Sequence, residues 1–210
     1  MLSGPSGSGK TFTITQILQN KEIIFVAGDR IKNVVFCYAS WQPSYDKLTQ
    51  EGLVTRWVNK MPTNEEFVSL VEPFKHEGGS IVVINDFMSE IGKDFVDIVT
   101  VSARHNKAST FILFQSLFPT ARLARQISLN VKYMWIFKNP RENAQFGYLI
   151  RQIRPQDYKW LHEAYEEATS EPYTYMLLGL TQECPDRLRF RACVLPNQWP
   201  MKIYTRKGAL

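Results

Sequence analysis

The residues with the clearest chemical potential stand at the start of the chain: Gly4-Pro5-Ser6-Gly7-Ser8-Gly9-Lys10-Thr11. They follow the pattern G-x-x-x-x-G-K-[ST], and one chemistry requires every type in it. Glycines let the backbone wrap closely around a phosphate, so that successive N–H groups point at its oxygens. Lys10 brings a point charge to the β- and γ-phosphates, and the Thr11 hydroxyl is a ligand for Mg²⁺. Phe12, Ile14, Ile17 and Leu18 follow at helical spacing, so a helix N-terminus adds its dipole. A chance Gly/Ser-rich turn is the alternative, and the Lys-Thr ending with a helix directly after it weighs against that. Only Met1 and Leu2 precede the loop. The strand that should feed it is expected to be very short or truncated.

A second acidic site is needed for hydrolysis. Residues 80–90 read Ser-Ile-Val-Val-Ile-Asn-Asp-Phe-Met-Ser-Glu, a β-branched run after Gly78-Gly79. The pattern predicts a buried strand ending in Asn85-Asp86. A carboxylate there would hold Mg²⁺ or its waters, and a neighbouring one would orient the attacking water; a strand end closed by an Asx turn is the alternative. Asp94 to Ala103 carries Phe95, Val96, Ile98 and Val99 as an amphipathic helix. Ser109 to Gln115 then reads as another buried strand, placing the Gln115 amide where it could touch a γ-phosphate or the water. Residues 131–137 give a third strand. Strands alternating with helices imply a parallel sheet with covered faces.

Two classes share the first loop. A nucleotide or nucleoside kinase needs an arginine-rich lid and an acceptor-binding insertion before mid-chain. Residues 34–75 offer only Lys47, Arg56, Lys60 and Lys75. The basic residues come later. Residues 102–154 hold nine cations against Glu142 alone, residues 155–186 hold Lys159 against seven acids, and residues 187–210 hold six cations and no acid. That distribution favours an ATPase with ATP and Mg²⁺, and the basic block can steer a polyanion. A solvated face with an acidic partner face nearby is the plainer reading of the same charges.

Composition sets the frame. The chain has 210 residues, 44% hydrophobic and 21% charged, with a formal net charge of +5. That is ordinary globular composition. Apolar runs are short, six residues at most, where a membrane span needs about 20. The start lacks the basic and apolar regions of a signal peptide. Cys37, Cys184 and Cys193 show no metal-ligand spacing, and neither they nor the scattered His76, His105 and His162 make a metal site. An intracellular protein with reduced thiols is expected.

The phosphate loop, Cys37 to Asp46, Val83 to Met88, Phe111 to Phe118, Ile127 to Asn130, Phe137 to Arg141 and Pro172-Tyr173-x-Tyr175 occur in this order. Together they resemble the DNA-packaging ATPases of Polinton/Maverick elements and large DNA viruses, which are similar to the poxvirus packaging ATPase and belong to the FtsK–HerA superfamily. The similarity spans nearly the whole chain, and its most specific part is Phe111 to Arg141. It implies a three-layer α/β P-loop NTPase of the additional-strand type, with a mostly parallel sheet, helices on both faces, and a C-terminal β-hairpin or edge strands. It implies a homo-oligomeric ring that hydrolyses ATP and pumps double-stranded DNA into a capsid, with a capsid or portal-like vertex protein as partner, a virion- or capsid-associated location and no membrane. Lys10 and Thr11 match the phosphate-loop pair, Asn85-Asp86 the acidic pair that ligates metal with Thr11, and Gln115 the sensor. Arg104 lies near the place of a trans-acting arginine, with Arg122 and Arg125 as rivals.

One departure has consequences. Relatives usually carry aspartate where this chain has Asn85, which contributes no charge. ATP binding with slow hydrolysis is expected, as is a gain in turnover for Asn85→Asp. With the short N-terminus it also suggests a relic gene of an integrated element. Residues 1–196 are expected to form the ATPase domain and 197–210 a basic tail. The acidic stretch 155–171, with Pro155 at its start, reads as an amphipathic helix. Tyr173 to Leu180 and Leu188 to Leu195 read as a closing hairpin. Trp41, Tyr133, Trp135 and Trp160 are assigned to core or interface, because a duplex offers no exposed bases to stack on.

Overall fold

The structure is a computed structural model that describes residues 1–26, 28–118, 127, 129–141 and 143–206. Arg122, Arg125, Ser128, Glu142 and the end of the basic tail, residues 207–210, lie outside the described residues. The chain divides into two compact units. One comprises residues 1–10 and 115–118 with the described part of 131–210. The other comprises residues 11–114 with the described part of 119–130.

The chain enters the first unit as β1 (Leu2–Ser3), fully buried and only two residues long. After the phosphate loop, α1 (Lys10–Gln19) leads into the second unit, burying Ile14, Ile17 and Leu18 as their spacing requires. Then come α2 (Lys21–Ile24), β2 (Asn33–Tyr38), α3 (Ser44–Gln50), β3 (Arg56–Val58), α4 (Asn64–Val71) and β4 (Ser80–Asn85). The predicted helix after β4 forms α5 (Lys93–Asp97), but a π-helical stretch, Ile98–Ser102, joins it to α6 (Ala103–His105). There the Ser102 hydroxyl donates to Asn64 Oδ1 of α4 at 2.6 Å, which ties the wide turn to its neighbour. β5 (Ala108–Phe114) completes this unit's strands.

β2, β3, β4 and β5 all pair in parallel, with β4 between β2 and β5. All six residues of β4 are buried, which explains why its sequence runs apolar instead of alternating. α4 carries a capping box: Thr63 Oγ1 accepts from the Glu66 N–H at 3.2 Å and Glu66 Oε2 accepts from the Thr63 N–H at 3.0 Å.

The rest of the first unit holds β6 (Tyr133–Phe137), α7 (Asn143–Ile153), α8 (Tyr158–Ala168), β7 (Tyr175–Gly179), β8 (Phe190–Ala192) and β9 (Lys202–Tyr204). β1 pairs with β6 in parallel, and β6 to β9 form an antiparallel meander. The class is α/β with mostly parallel pairing and a C-terminal antiparallel extension. Pro155 opens a short 3₁₀ turn, Pro155–Asp157, before α8. α8 is fastened to β6 by the buried Tyr165 hydroxyl, which donates to the Phe137 carbonyl at 3.1 Å, and to α7 by stacking of Phe146 on Tyr165 at 3.8 Å. β9 lies in the segment read from sequence as a tail; its residues pair with Phe190 to Ala192 of β8. Among the described residues no helix is long and apolar enough to cross a membrane.

Candidate functional site

The phosphate loop begins where β1 ends. The Ser8 N–H donates to the Pro5 carbonyl at 3.2 Å, turning the backbone tightly. A Cβ on Gly4 would lie 2.7 Å from Phe137 Cβ and 2.8 Å from Ser8 Oγ, so the close approach of the loop to the end of β6 admits only glycine. Gly9 has φ +102°, and a Cβ there would lie 3.2 Å from Tyr173 Cβ. The Lys10 ammonium donates to the Gly4 carbonyl at 2.6 Å and to the Pro5 carbonyl at 2.8 Å, which lays it across the loop. α1 starts at Lys10, so its first N–H groups have no helical acceptors and face the same region.

The loop fits a phosphate chain on three counts. The space beside Gly7 is open, with nothing within 4 Å of where a Cβ would stand. Ser8 Oγ is buried with no hydrogen-bond partner among the described residues. A cation already spans the turn. Beside it lies a cleft of about 430 Å³, bounded by Pro5 to Ser8 on one side and by Lys138, Pro140 and residues 169–174 on the other. Lys138 pairs with Glu166 at 3.1 Å. In the sequence these cleft residues fall in the acidic stretch, the closing hairpin and the family-like strings, with nothing to set them apart as a site; the positive φ of Tyr173, +65°, is invisible there.

Asn85 and Asp86 sit at the C-terminal end of β4, as expected. In open α/β sheets that is the edge at which ligands bind. Asn85 is buried, and its side-chain amide donates to the Tyr45 hydroxyl at 2.5 Å. Burial, and secondarily the charge of Asp86 and the neighbouring Tyr38, push the Tyr45 hydroxyl up to about 12, against the opposing pull of the Asn85 bond. Tyr45 also anchors an aromatic cluster. Its ring lies 4.9 Å from Phe36, 5.5 Å from Trp41 and 5.6 Å from Trp57. Trp41 lies 4.9 Å from Trp57 and donates its Nε1–H to Asp46 at 3.1 Å. Trp41 is thus packed edge-on in a cluster while half its surface remains exposed. Asp86 is exposed with φ +70°, a left-handed turn that aspartate tolerates better than most side chains and that swings the chain out of β4.

Gln115 directly follows β5. Its neighbours are fixed by α7: Gln145 Oε1 accepts from the Ser116 hydroxyl at 3.0 Å and from the Phe118 N–H at 3.2 Å. Arg104 is exposed and forms no ion pair with a described residue. It precedes β5, whose Ala108 pairs with Ser80 while Leu113 pairs with Asn85. Arg104 therefore lies at the opposite end of the β4–β5 pair from Asp86, roughly 20 Å away by strand rise. The structure brings Asn85 and Asp86 to one strand end and leaves Arg104 at the other.

Neither a family model nor a curated protein matches the chain. Among solved structures, it is similar to the cytoplasmic domain of the Thermomonospora curvata type VII secretion ATPase EccC, with a TM-score of 0.49 and 10% identity over 99% of this chain and 24% of that one. It is also similar to EssC (ATPases 2 and 3) from Geobacillus thermodenitrificans, with a TM-score of 0.43 and 11% identity over 64% of this chain and 31% of that one. The chain thus spans about a quarter to a third of the length of these proteins.

Proposed function

We propose that the protein is a P-loop ATPase that drives double-stranded DNA translocation, as in genome packaging, from a homo-oligomeric ring. The observation that carries the nucleotide part is the loop: close-packed glycines, an orphaned buried hydroxyl at Ser8 and the Lys10 ammonium drawn across the turn at the start of α1. Gly4 to Thr11 hold the triphosphate. Among the described residues no group of three His, Cys, Asp or Glu is placed to bind a metal by itself. Thr11 and Asp86, with Asn85 beside them, would hold Mg²⁺ together with the nucleotide's own oxygens. The chemistry such an ion would supply is positive charge against the phosphate oxygens. Asp86 orients or deprotonates the attacking water, and Gln115 senses the γ-phosphate. Arg104, far from its own Asp86, would act only on a neighbour's nucleotide. The DNA and capsid parts rest on the resemblance of Phe111 to Arg141 and on the exposed cations of 102–154.

A second reading has its own observation. Asn85 supplies no charge and its amide is engaged by Tyr45, which fits a protein that binds ATP and turns it over slowly. Phosphate release from ATP, with and without duplex DNA and with nucleotide or nucleoside acceptors, separates the possibilities. DNA-stimulated release supports the motor, transfer to an acceptor supports a kinase, and tight binding without turnover supports the slow form. In that last case Asn85→Asp raises the rate. Lys10→Ala is the control that must abolish whatever is seen.

A further inference from the structure

We propose that the cleft beside the phosphate loop is the nucleoside pocket of the bound triphosphate, with the base stacked on the ring of Tyr173. The proposal rests on the nucleotide reading above and assigns the half of the ligand that the loop does not hold. The cleft, at about 430 Å³, falls within the ~300–1,000 Å³ common for small-ligand sites. Pro5 to Ser8 form one wall, so its phosphate end is fixed. The other wall is the turn that carries Tyr173.

That turn is built to hold one side chain in an uncommon pose. Tyr173 has φ +65°, a conformation that bulky L side chains avoid. The chain on either side of it is tied down. Before it, the Thr169 hydroxyl donates to the Tyr165 carbonyl at 2.8 Å and the Ser170 N–H to the Glu167 carbonyl at 3.2 Å. After it, the Thr174 hydroxyl donates to the Glu171 carbonyl at 2.6 Å. Local strain of this kind persists where the surroundings over-determine it, and it gathers at ligand clamps. The contact with the loop is made by the near end of the side chain: Tyr173 Cβ and one ring carbon lie 3.2 and 3.4 Å from where a Gly9 Cβ would stand. Shaping the loop would take no more than that. Yet Tyr173 carries a full ring that is 65% exposed. A ring held at one edge with its face open, beside a phosphate loop, is a platform for a flat heterocycle. Pro172 adds an apolar flank, and Lys138, paired with Glu166, stands on the same wall.

The test uses the full chain in titration calorimetry, with Mg-ATP and inorganic tripolyphosphate as probes. Tyr173→Asn removes the ring and keeps a residue that accepts the left-handed backbone. It should weaken ATP binding about tenfold, the scale of base–aromatic stacking, and leave tripolyphosphate binding unchanged. Tyr173→Phe should hold ATP within about twofold of the parent, since the ring face is retained. Loss of both ligands in equal measure means that Tyr173 only shapes the loop, and it overturns the proposal; so does an unchanged ATP affinity. Photolabelling with an azido-ATP should mark the peptide containing residues 169–174, and a label elsewhere also overturns it. If the parent binds neither probe, or Lys10→Ala binds both as well as the parent, the nucleotide reading itself is what fails.

Discussion

Replacing Tyr45 by Phe isolates one bond at the end of β4. The Asn85 amide donates to the Tyr45 hydroxyl at 2.5 Å, and both side chains are buried. Phenylalanine keeps the ring contacts with Phe36, Trp41 and Trp57 and removes only the oxygen. The amide then has a buried donor without its acceptor, which costs about 1–3 kcal/mol. With the midpoint, about 2 kcal/mol, a chain of this size should lose roughly 4–8 °C in melting temperature. A second substitution sharpens the test. Asn85→Leu in the Tyr45→Phe background removes the orphan as well, and two apolar partners of matched shape are nearly neutral. The double variant should therefore be more stable than Tyr45→Phe alone, a strong departure from additivity. Urea unfolding of the parent, both singles and the double measures this cycle. The reasoning fails if Tyr45→Phe lies within about 0.3 kcal/mol of the parent, or if the double variant loses the sum of the singles.

Gly9→Ala puts a methyl at φ +102° and 3.2 Å from Tyr173 Cβ, so ATP affinity should fall by at least tenfold (about 1.4 kcal/mol) while far-UV circular dichroism stays unchanged. Asp86→Asn keeps a residue that tolerates φ +70° and removes the carboxylate; ATP binding should persist and phosphate release should fall by about 10²-fold or more, as for loss of a general base. Tyr45, Tyr165 and Tyr204 are each raised from 10 to about 12, with burial the leading cause, and burial raises Tyr175 as well. Deprotonation is easier in the unfolded chain, so the stability these groups contribute is intact below pH 10 and is lost as pH rises through about 12. A tyrosinate absorbance titration should show the signal of these four of the nine tyrosines delayed and arriving with unfolding.

The elements that could be read from sequence are those whose apolar spacing has one interpretation. α1, β4, β5, β6 and α8 fall within a few residues of their expected limits because each buries a stripe or a whole run. β2 is not legible in the same way: Asn33-Val-Val-Phe-Cys-Tyr is a short apolar run, and periodicity alone does not distinguish such a strand from a buried helical turn. α7 contains Gly147, a residue of low helix propensity. In the fold a Cβ there would lie 3.2 Å from the Tyr158 ring, so the glycine serves helix packing. What residue type and strand pattern make legible is position: Lys10 at the start of α1, Asp86 directly after β4 and Gln115 directly after β5. Tyr45 as the partner of Asn85 was not, because the two are 40 residues apart and meet only when β2 and β4 pair. The π-helical stretch before Arg104 has no sequence signature at all.

The swing of charge along the chain looks different once its partners are known. Within the first unit, Arg154 pairs with Asp157 at 3.5 Å and Asp186 at 2.6 Å, Lys138 with Glu166 at 3.1 Å, Lys202 with Glu167 at 3.0 Å, and Arg206 with Asp157 at 3.3 Å. Bonds from Arg154 and then Arg189 hold the Asp186 carboxyl below its usual range. Each exposed pair adds little to stability, because water and salt screen it. Their greater effect is to neutralise cations that composition alone would assign to a polyanion. In the block 102–154 this leaves Arg104, Lys107, Lys132, Arg141 and Arg151 exposed without an ion pair to a described residue, while Arg122 and Arg125 lie outside the described residues. If duplex DNA is gripped through phosphates, these five charges, or seven with Arg122 and Arg125, set its salt dependence. The slope of log K against log salt should then be about −4.5 to −6 per subunit, at 0.9 per contact. Arg104→Gln with Lys107→Gln should flatten it by up to about 2. Arg154→Gln should leave it unchanged, since that guanidinium already has two carboxylates. A slope that responds to Arg154→Gln as strongly as to the Arg104/Lys107 pair would mean that the internal ion pairs open to the duplex, and the assignment of the grip to the unpaired cations would be wrong.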